Sequence, residues 1–166
     1  MKFLRHRLIG LPAFALLIAV AGCSSADDSA SVAVPSPSPA VTKLCRNLDK
    51  ALPRTVDGLS RNDPEPESVL TAGWGSPVII LRCGVERPPK MIDPKVAEGR
   101  DPDAVAGGVN GVDWLQEERD GGGYRFTSAN RKAYVEVSVP EGRDSAAVLV
   151  DVASAVKSAI PAGIAD

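Results

Sequence analysis

Ser154-Ala155-Val156-Lys157 has the S-x-x-K spacing in which a lysine one helical turn from a serine assists acylation of the hydroxyl. Neither the SDN nor the KTG segment that completes such a site is present, and both residues fall on the polar side of a helical pattern, where a solvated face accounts for them. Four carboxylates, Asp113, Glu117, Glu118 and Asp120, gather around Trp114. Paired carboxylates beside an aromatic ring are what acid and base work on a glycosidic bond requires, while the plainer reading sets them on the solvent side of a hairpin. Asp101 opens DPDAVAGGVNGV, which has the length of a calcium loop, but Val105 stands where a third oxygen ligand belongs and Val112 where the bidentate Glu belongs. The glycine runs GGVNG and GGG lack the Lys-Ser/Thr of a phosphate loop and read as turns. No metal or cofactor is expected from these patterns.

The single histidine, His6, lies in the first segment, MKFLRHRLIGLPAFALLIAVAG. Lys2, Arg5 and Arg7 form a positive front, Leu8 to Val20 an apolar middle, and small residues the exit, the three parts of an export signal. The apolar stretch contains Pro12 and falls short of the roughly 20 residues that a bilayer span needs. His6 separates Arg5 from Arg7, so the paired arginines of a twin-arginine signal are absent. Removing the segment removes the imidazole as well. Mechanisms built on Ser-His-Asp or Cys-His, and zinc sites containing histidine, then have no residue to run on.

Val20-Ala21-Gly22-Cys23 resembles a bacterial lipobox, and the resemblance implies cleavage after Gly22 with a diacylglyceryl group on the sulfur of Cys23. Two acyl chains on one residue anchor stably where a single chain binds marginally. The alternative is cleavage at a nearby A-x-A-like site, leaving Cys23 an idle thiol. Residues 23–41, rich in Ser, Ala and Pro, read as a disordered tether. Extended at about 3.1 Å per residue it would reach roughly 55 Å from the bilayer. Domain boundaries follow as signal 1–22, lipidated tether 23–41 and a single folded domain 42–166.

The chain has 19 basic and 21 acidic residues, and loss of residues 1–22 leaves 16 against 21, a formal charge of −5. That balance argues against a nucleic-acid partner, which needs a basic stripe to neutralise phosphates. Cys45 and Cys83 are the two other cysteines, and outside the cytoplasm two thiols in one small domain most often pair, the alternative being two buried free thiols.

TKLCRNLDKALP reads as a short amphipathic helix, with Thr42 as N-cap, Leu44, Cys45, Leu48 and Leu52 on one face and Pro53 as a stop. PVIILRCGV, Pro77 to Val85, is a buried strand, and the disulfide would staple that helix to it. GVDWLQEE and YRFTS form a hairpin around Gly121 to Gly123. In KAYVEVSVP, Ala133, Val135, Val137 and Val139 alternate with Tyr134, Glu136 and Ser138, a strand with one apolar face. Residues 87–110 read as a loop because Pro and Gly recur. Asp144 caps a final helix in which Leu149, Val152, Ala153, Val156 and Ile160 share a face before Pro161 ends it. The expected fold is α+β, a mainly antiparallel four-stranded sheet with N- and C-terminal helices packed on one face. Trp74, Trp114, Tyr124 and Phe126 are expected mostly inside, while Tyr134 with Glu136 would mark an exposed sheet face.

The segments WGSPVIILRCGV, VNGVDWL and RKAYVEVSVP resemble the actinobacterial exported proteins and lipoproteins called domain of unknown function 3515, over about Leu44 to Pro161. The resemblance implies an envelope protein without an established activity, encoded near D-Ala:D-Ala ligase, and supplies no catalytic residues. The expected function is a lipid-anchored, monomeric, non-enzymatic module on the extracytoplasmic face of the cell membrane. It would contact an envelope protein or wall component through Trp74, Asp113, Tyr134 or Glu136. The competing reading is a histidine-free enzyme or small-ligand carrier working through the Asp113 carboxylate cluster.

Overall fold

Six strands build the main sheet, two more than the sequence predicts. The computed structural model describes residues 31–76 and 79–165, so the export segment and Cys23 lie outside the described residues. Strands β1 (Thr55–Val56) and β2 (Leu59–Ser60) form a separate small hairpin. The large sheet comprises β3 (Thr71–Trp74), β4 (Ile79–Val85), β5 (Ala104–Val109), β6 (Val112–Glu118), β7 (Tyr124–Ala129) and β8 (Tyr134–Val139), in the order β3-β4-β8-β7-β6-β5. Every neighbouring pair in it is antiparallel.

The two unexpected strands are its edges. β5 lies inside the stretch that composition reads as a loop, because Ala and Gly give no side-chain period. Its link to β6 is nevertheless explicit: Asn110 (φ 50°) and Gly111 (φ 80°) both adopt positive φ, as a two-residue type I′ turn between paired Val109 and Val112 requires.

Helices α1 (Pro39–Ala51) and α3 (Ser145–Ala159) pack against each other and against one face of the sheet, as expected. The start of α1 is a correction. Ser38, not Thr42, is the N-cap, its hydroxyl accepting from Val41 N at 3.4 Å, and Pro39 takes a first-turn position whose missing N–H costs nothing there. The Thr42 hydroxyl donates to Ser38 O instead. Val41, assigned to the tether, is a buried core residue. At α3, Asp144 caps as predicted, accepting from the amides of Ala146 and Ala147.

Strand alternation divides the sheet chemically. Ile79, Leu81 and Cys83 of β4, Val135, Val137 and Val139 of β8, Phe126 of β7 and Trp114 of β6 face the helices, where they meet Leu48, Val148, Val152 and Val156. The Cys45–Cys83 disulfide joins α1 to β4 with Cα atoms 5.6 Å apart. Arg131, 8 % exposed, closes one end of the core: it donates to Ile160 O behind α3 (3.1 Å) and to Gly111 O in the β5–β6 turn (2.6 Å). On the opposite face α2 (Pro94–Ala97) seats Val96 over Ala104 and Leu115, a second, smaller cluster.

The bridge closes a loop with a sequence separation of 38. The double variant Cys45→Ala/Cys83→Ala is therefore expected to lose about 4 kcal/mol of unfolding free energy on the chain-entropy estimate. Urea denaturation of the two proteins measures the difference.

Candidate functional site

The face of the sheet away from α1 and α3 is charged where the other is apolar. Register places Glu117 of β6 opposite Arg125 of β7, and Arg82 of β4 opposite Glu136 of β8. Arg125 donates to Glu117 Oε2 from Nε (3.2 Å) with Nη2 at 3.1 Å, and Arg82 donates to Glu136 Oε1 from Nε with Nη2 also at 2.9 Å. Because β7 and β8 are adjacent, the order across the sheet is Glu117, Arg125, Glu136, Arg82, a ladder of alternating sign over four strands. The Glu117 hydrogen bond raises the Arg125 guanidinium above its ordinary value against the opposing effect of burial, with the charges of Glu117 and Glu136 adding to it. Cross-strand pairs of opposite charge of this kind stabilise a sheet by a few tenths of a kcal/mol to about 1 kcal/mol each.

Two segments flank the ladder. Residues 33–38 run as a strap over β4: Ala33 O accepts from Arg82 Nη1 at 3.3 Å, and Val34 packs against the core. Ser31 bridges to Glu65 in parallel, with Val32 N donating to Glu65 O at 2.9 Å. The strap lies close because residue 84 is glycine. A Cβ there would fall 2.6 Å from Pro37 Cγ, and its φ of +84° is one that side chains resist. On the other side, the segment after β4 is pinned by Lys90, which donates to Asp101 at 2.8 Å and by that hydrogen bond holds the Asp101 carboxyl below the ordinary carboxylate value.

Between strap and loop opens a cleft of about 810 Å³. Arg82, Arg125, Tyr134 and Glu136 line its floor, Pro37 and Pro88 lie on opposite walls, and Glu86 with Arg87 add exposed charges. Among the described residues Arg87 makes no ion pair, so its guanidinium is the free cation of the cleft. The chemistry on offer is recognition of a polar ligand: guanidinium donors, a phenol and proline walls, with the ladder already charge-compensated.

The residues singled out in the sequence meet this site only in part. Tyr134 and Glu136 both line the cleft, but Glu136 is 8 % exposed because Arg82 covers it, so the open face expected there is half closed. Trp74 offers no surface. It is fully buried, with Nε1 donating to Pro53 O at 3.0 Å and the Arg61 guanidinium 5.4 Å over its ring, because the turn-rich stretch around it folds as edge strand β3. Asp113 is exposed outside the cleft and accepts from Asn130 Nδ2 at 3.1 Å.

The carboxylate cluster around Trp114 disperses. Alternation along β6 sends Asp113 and Glu117 to one side and Glu118 to the other, and Asp120 sits in the following turn. Tyr124, expected inside, is 37 % exposed at the strand end. Ser154 and Lys157 are exposed on α3, the solvated face the helical pattern describes. Cys23 lies outside the described residues. What sequence reasoning missed is Arg82, Arg125 and the strap. A signal existed for Arg82, a lone charge within the apolar run PVIILRCGV.

A family model described as a protein of unknown function (DUF3515) matches residues 8–165. No curated protein and no solved structure matches the chain. Among the described residues no helix is long and apolar enough to cross a membrane, and no group of three or more His, Cys, Asp or Glu side chains comes together as a metal site.

Replacing Gly84 by alanine is expected to displace the strap while leaving the helix-side core folded, at a cost of about 1–2 kcal/mol for the left-handed backbone. Limited proteolysis should then cut within residues 31–38 faster than in the parent protein, with near-ultraviolet circular dichroism unchanged.

Proposed function

From the premise that this chain belongs to the DUF3515 family, whose description assigns no activity, we propose that it is a lipid-anchored, non-enzymatic binding module of the cell envelope. Its ligand is a wall component of peptide character that presents a free carboxylate. The observation that carries this reading is the cleft between strap and β4–α2 loop, with Arg87, which makes no ion pair among the described residues, at its edge and Tyr134 on its floor. With Arg82 engaged by Glu136 and Arg125 by Glu117, the charges that the cleft leaves open to a ligand are Arg87 and its neighbour Glu86. A ligand carrying a carboxylate gains a charge-assisted hydrogen bond from Arg87 without breaking the ladder. Amide groups of the same ligand find a partner in the Tyr134 hydroxyl, and proline walls hold their shape at no conformational cost on binding.

The anchor rests on the sequence. Cys23 follows Val20-Ala21-Gly22 at the end of an apolar export segment, and diacylation there would hold the domain at the extracytoplasmic face of the cell membrane. Pairing of Cys45 with Cys83 fits an oxidising compartment.

Two measurements test the reading separately. Cys23→Ser is expected to move the protein from the detergent-extracted membrane fraction to the medium, and retention in the membrane would refute lipid anchoring. For the cleft, soluble wall-peptide fragments with a free terminal carboxylate are titrated into the protein by NMR, with their amidated forms as control. The amides of residues around Arg82, Arg87 and Tyr134 are expected to shift, and Arg87→Ala to weaken binding about tenfold or more. Shifts located elsewhere, or equal affinity for amidated fragments, would defeat the assignment.

A further inference from the structure

Helix α1 carries charge of one sign on its outer side. Lys43, Arg46 and Lys50 recur at i, i+3 and i+7, Arg54 follows just past the helix end, and all four are exposed. None of them makes an ion pair among the described residues. The helix has one acidic residue, Asp49, which is half-buried and engaged by Arg61 at 2.8 Å. By contrast, the exposed side of α3 mixes Asp151 with Lys157. Like charges three and four residues apart destabilise a helix by a few tenths of a kcal/mol per pair. Gathering three cations on one helix and a fourth just past its end, none paired among the described residues, on a chain whose mature form is acidic therefore points to a polyanionic partner outside the molecule.

We infer that the Lys43-Arg46-Lys50-Arg54 face of α1 docks on a membrane surface of anionic phospholipid headgroups. Two observations select the membrane. The first is charge complementarity along a helix side about 10 Å long from Lys43 to Lys50, at 1.5 Å per residue. The second is reach: Ser31, which bridges to Glu65, is eight positions after Cys23, a separation of at most about 25 Å if the chain between them is extended at 3.1 Å per residue. A domain held that close by a lipid on Cys23 samples the bilayer surface continually, and this second argument rests on the anchored reading above. The consequence is orientation. Seating Lys43, Arg46 and Lys50 on the bilayer fixes which way α1 faces, and with it the cleft, whose lining includes Ser38 and Val41 at the start of the helix.

The test uses the mature chain with Cys23→Ser, so that binding through α1 is read without the acyl anchor. Its failure is then distinct from failure of lipidation, which the fractionation experiment reads. The protein is co-sedimented with vesicles of phosphatidylcholine alone or mixed with phosphatidylglycerol. Binding is expected only to the anionic vesicles, and it is expected to vanish near 1 M salt, where the screening length falls to about 3 Å. Each neutralised side chain should cost about fivefold, so Lys43→Gln/Arg46→Gln/Lys50→Gln should lose about a hundredfold. Lys43→Arg/Lys50→Arg should bind like the parent, as should Lys157→Gln on α3. Urea denaturation of the triple variant, expected to match the parent, separates lost charge from lost fold. Equal binding to neutral vesicles, an unchanged triple variant, or binding to soluble polyglycerol phosphate without binding to vesicles would each overturn the inference, the last in favour of a wall polymer.

Discussion

The bond between Cys45 and Cys83 is the constraint on which the rest of the arrangement depends. α1 buries Val41, Cys45 and Leu48 and lays Leu44 partly against the core, with Leu52 at its C-cap, and the disulfide adds a covalent tie to that apolar face. The sulfur bridge fixes its middle to β4, next to the centre of the sheet. That in turn sets where the chain before α1 must travel. Ser38 caps the helix, Pro37 lies on Gly84, and Ala33 reaches Arg82, so the strap is the N-terminal continuation of a helix whose position the disulfide determines. The cleft has no wall on that side without it.

The sheet between helices and cleft is two materials bonded edge to edge by one hydrogen-bond network. On the helix side valines and aromatics exclude water and supply the cohesion. On the other side Glu117, Arg125, Glu136 and Arg82 hold adjacent strands in register by charge. A register slip of one residue would exchange the two faces and bury the ladder under α1 and α3, which costs several kcal/mol per unpaired ion. The ladder thus acts against alternatives as much as for the native pairing. It also leaves the cleft floor polar and compensated, a surface that remains soluble while empty.

How much of this is legible in the sequence depends on whether the determining contacts are local. α3 and β8 are readable because period and cap lie within one segment: Asp144 before the helix, and alternation from Ala133 to Val139. The disulfide is readable from the number of cysteines together with the export signal that the sequence suggests. β5 is hidden because AVAGGV has no side-chain alternation to detect, although Asn110-Gly111 between two valines announces a hairpin. β3 is hidden because TAGW is short and lies among turn residues. The candidate site divides along the same line. Alternation exposes Tyr134 and Glu136 as a distinct face, while the covering of Glu136 needs Arg82, 54 positions away, and pairing at that range has no local signature. The α+β class and the helices on one face survive these misses because the missing strands are edges.

The strap revises the physical meaning of the Pro- and Ser-rich segment. Composition alone assigns all of residues 23–41 to reach, since such a chain lacks the apolar groups to fold by itself. Lacking a core is different from lacking a place to lie. A proline-rich stretch is already extended before it docks, so ordering it forfeits little backbone entropy, and a few contacts suffice: Val34 against the core, Ala33 O to Arg82, Val32 N to Glu65. The same prolines that rule out helix and regular strand make this segment an inexpensive wall for a cleft.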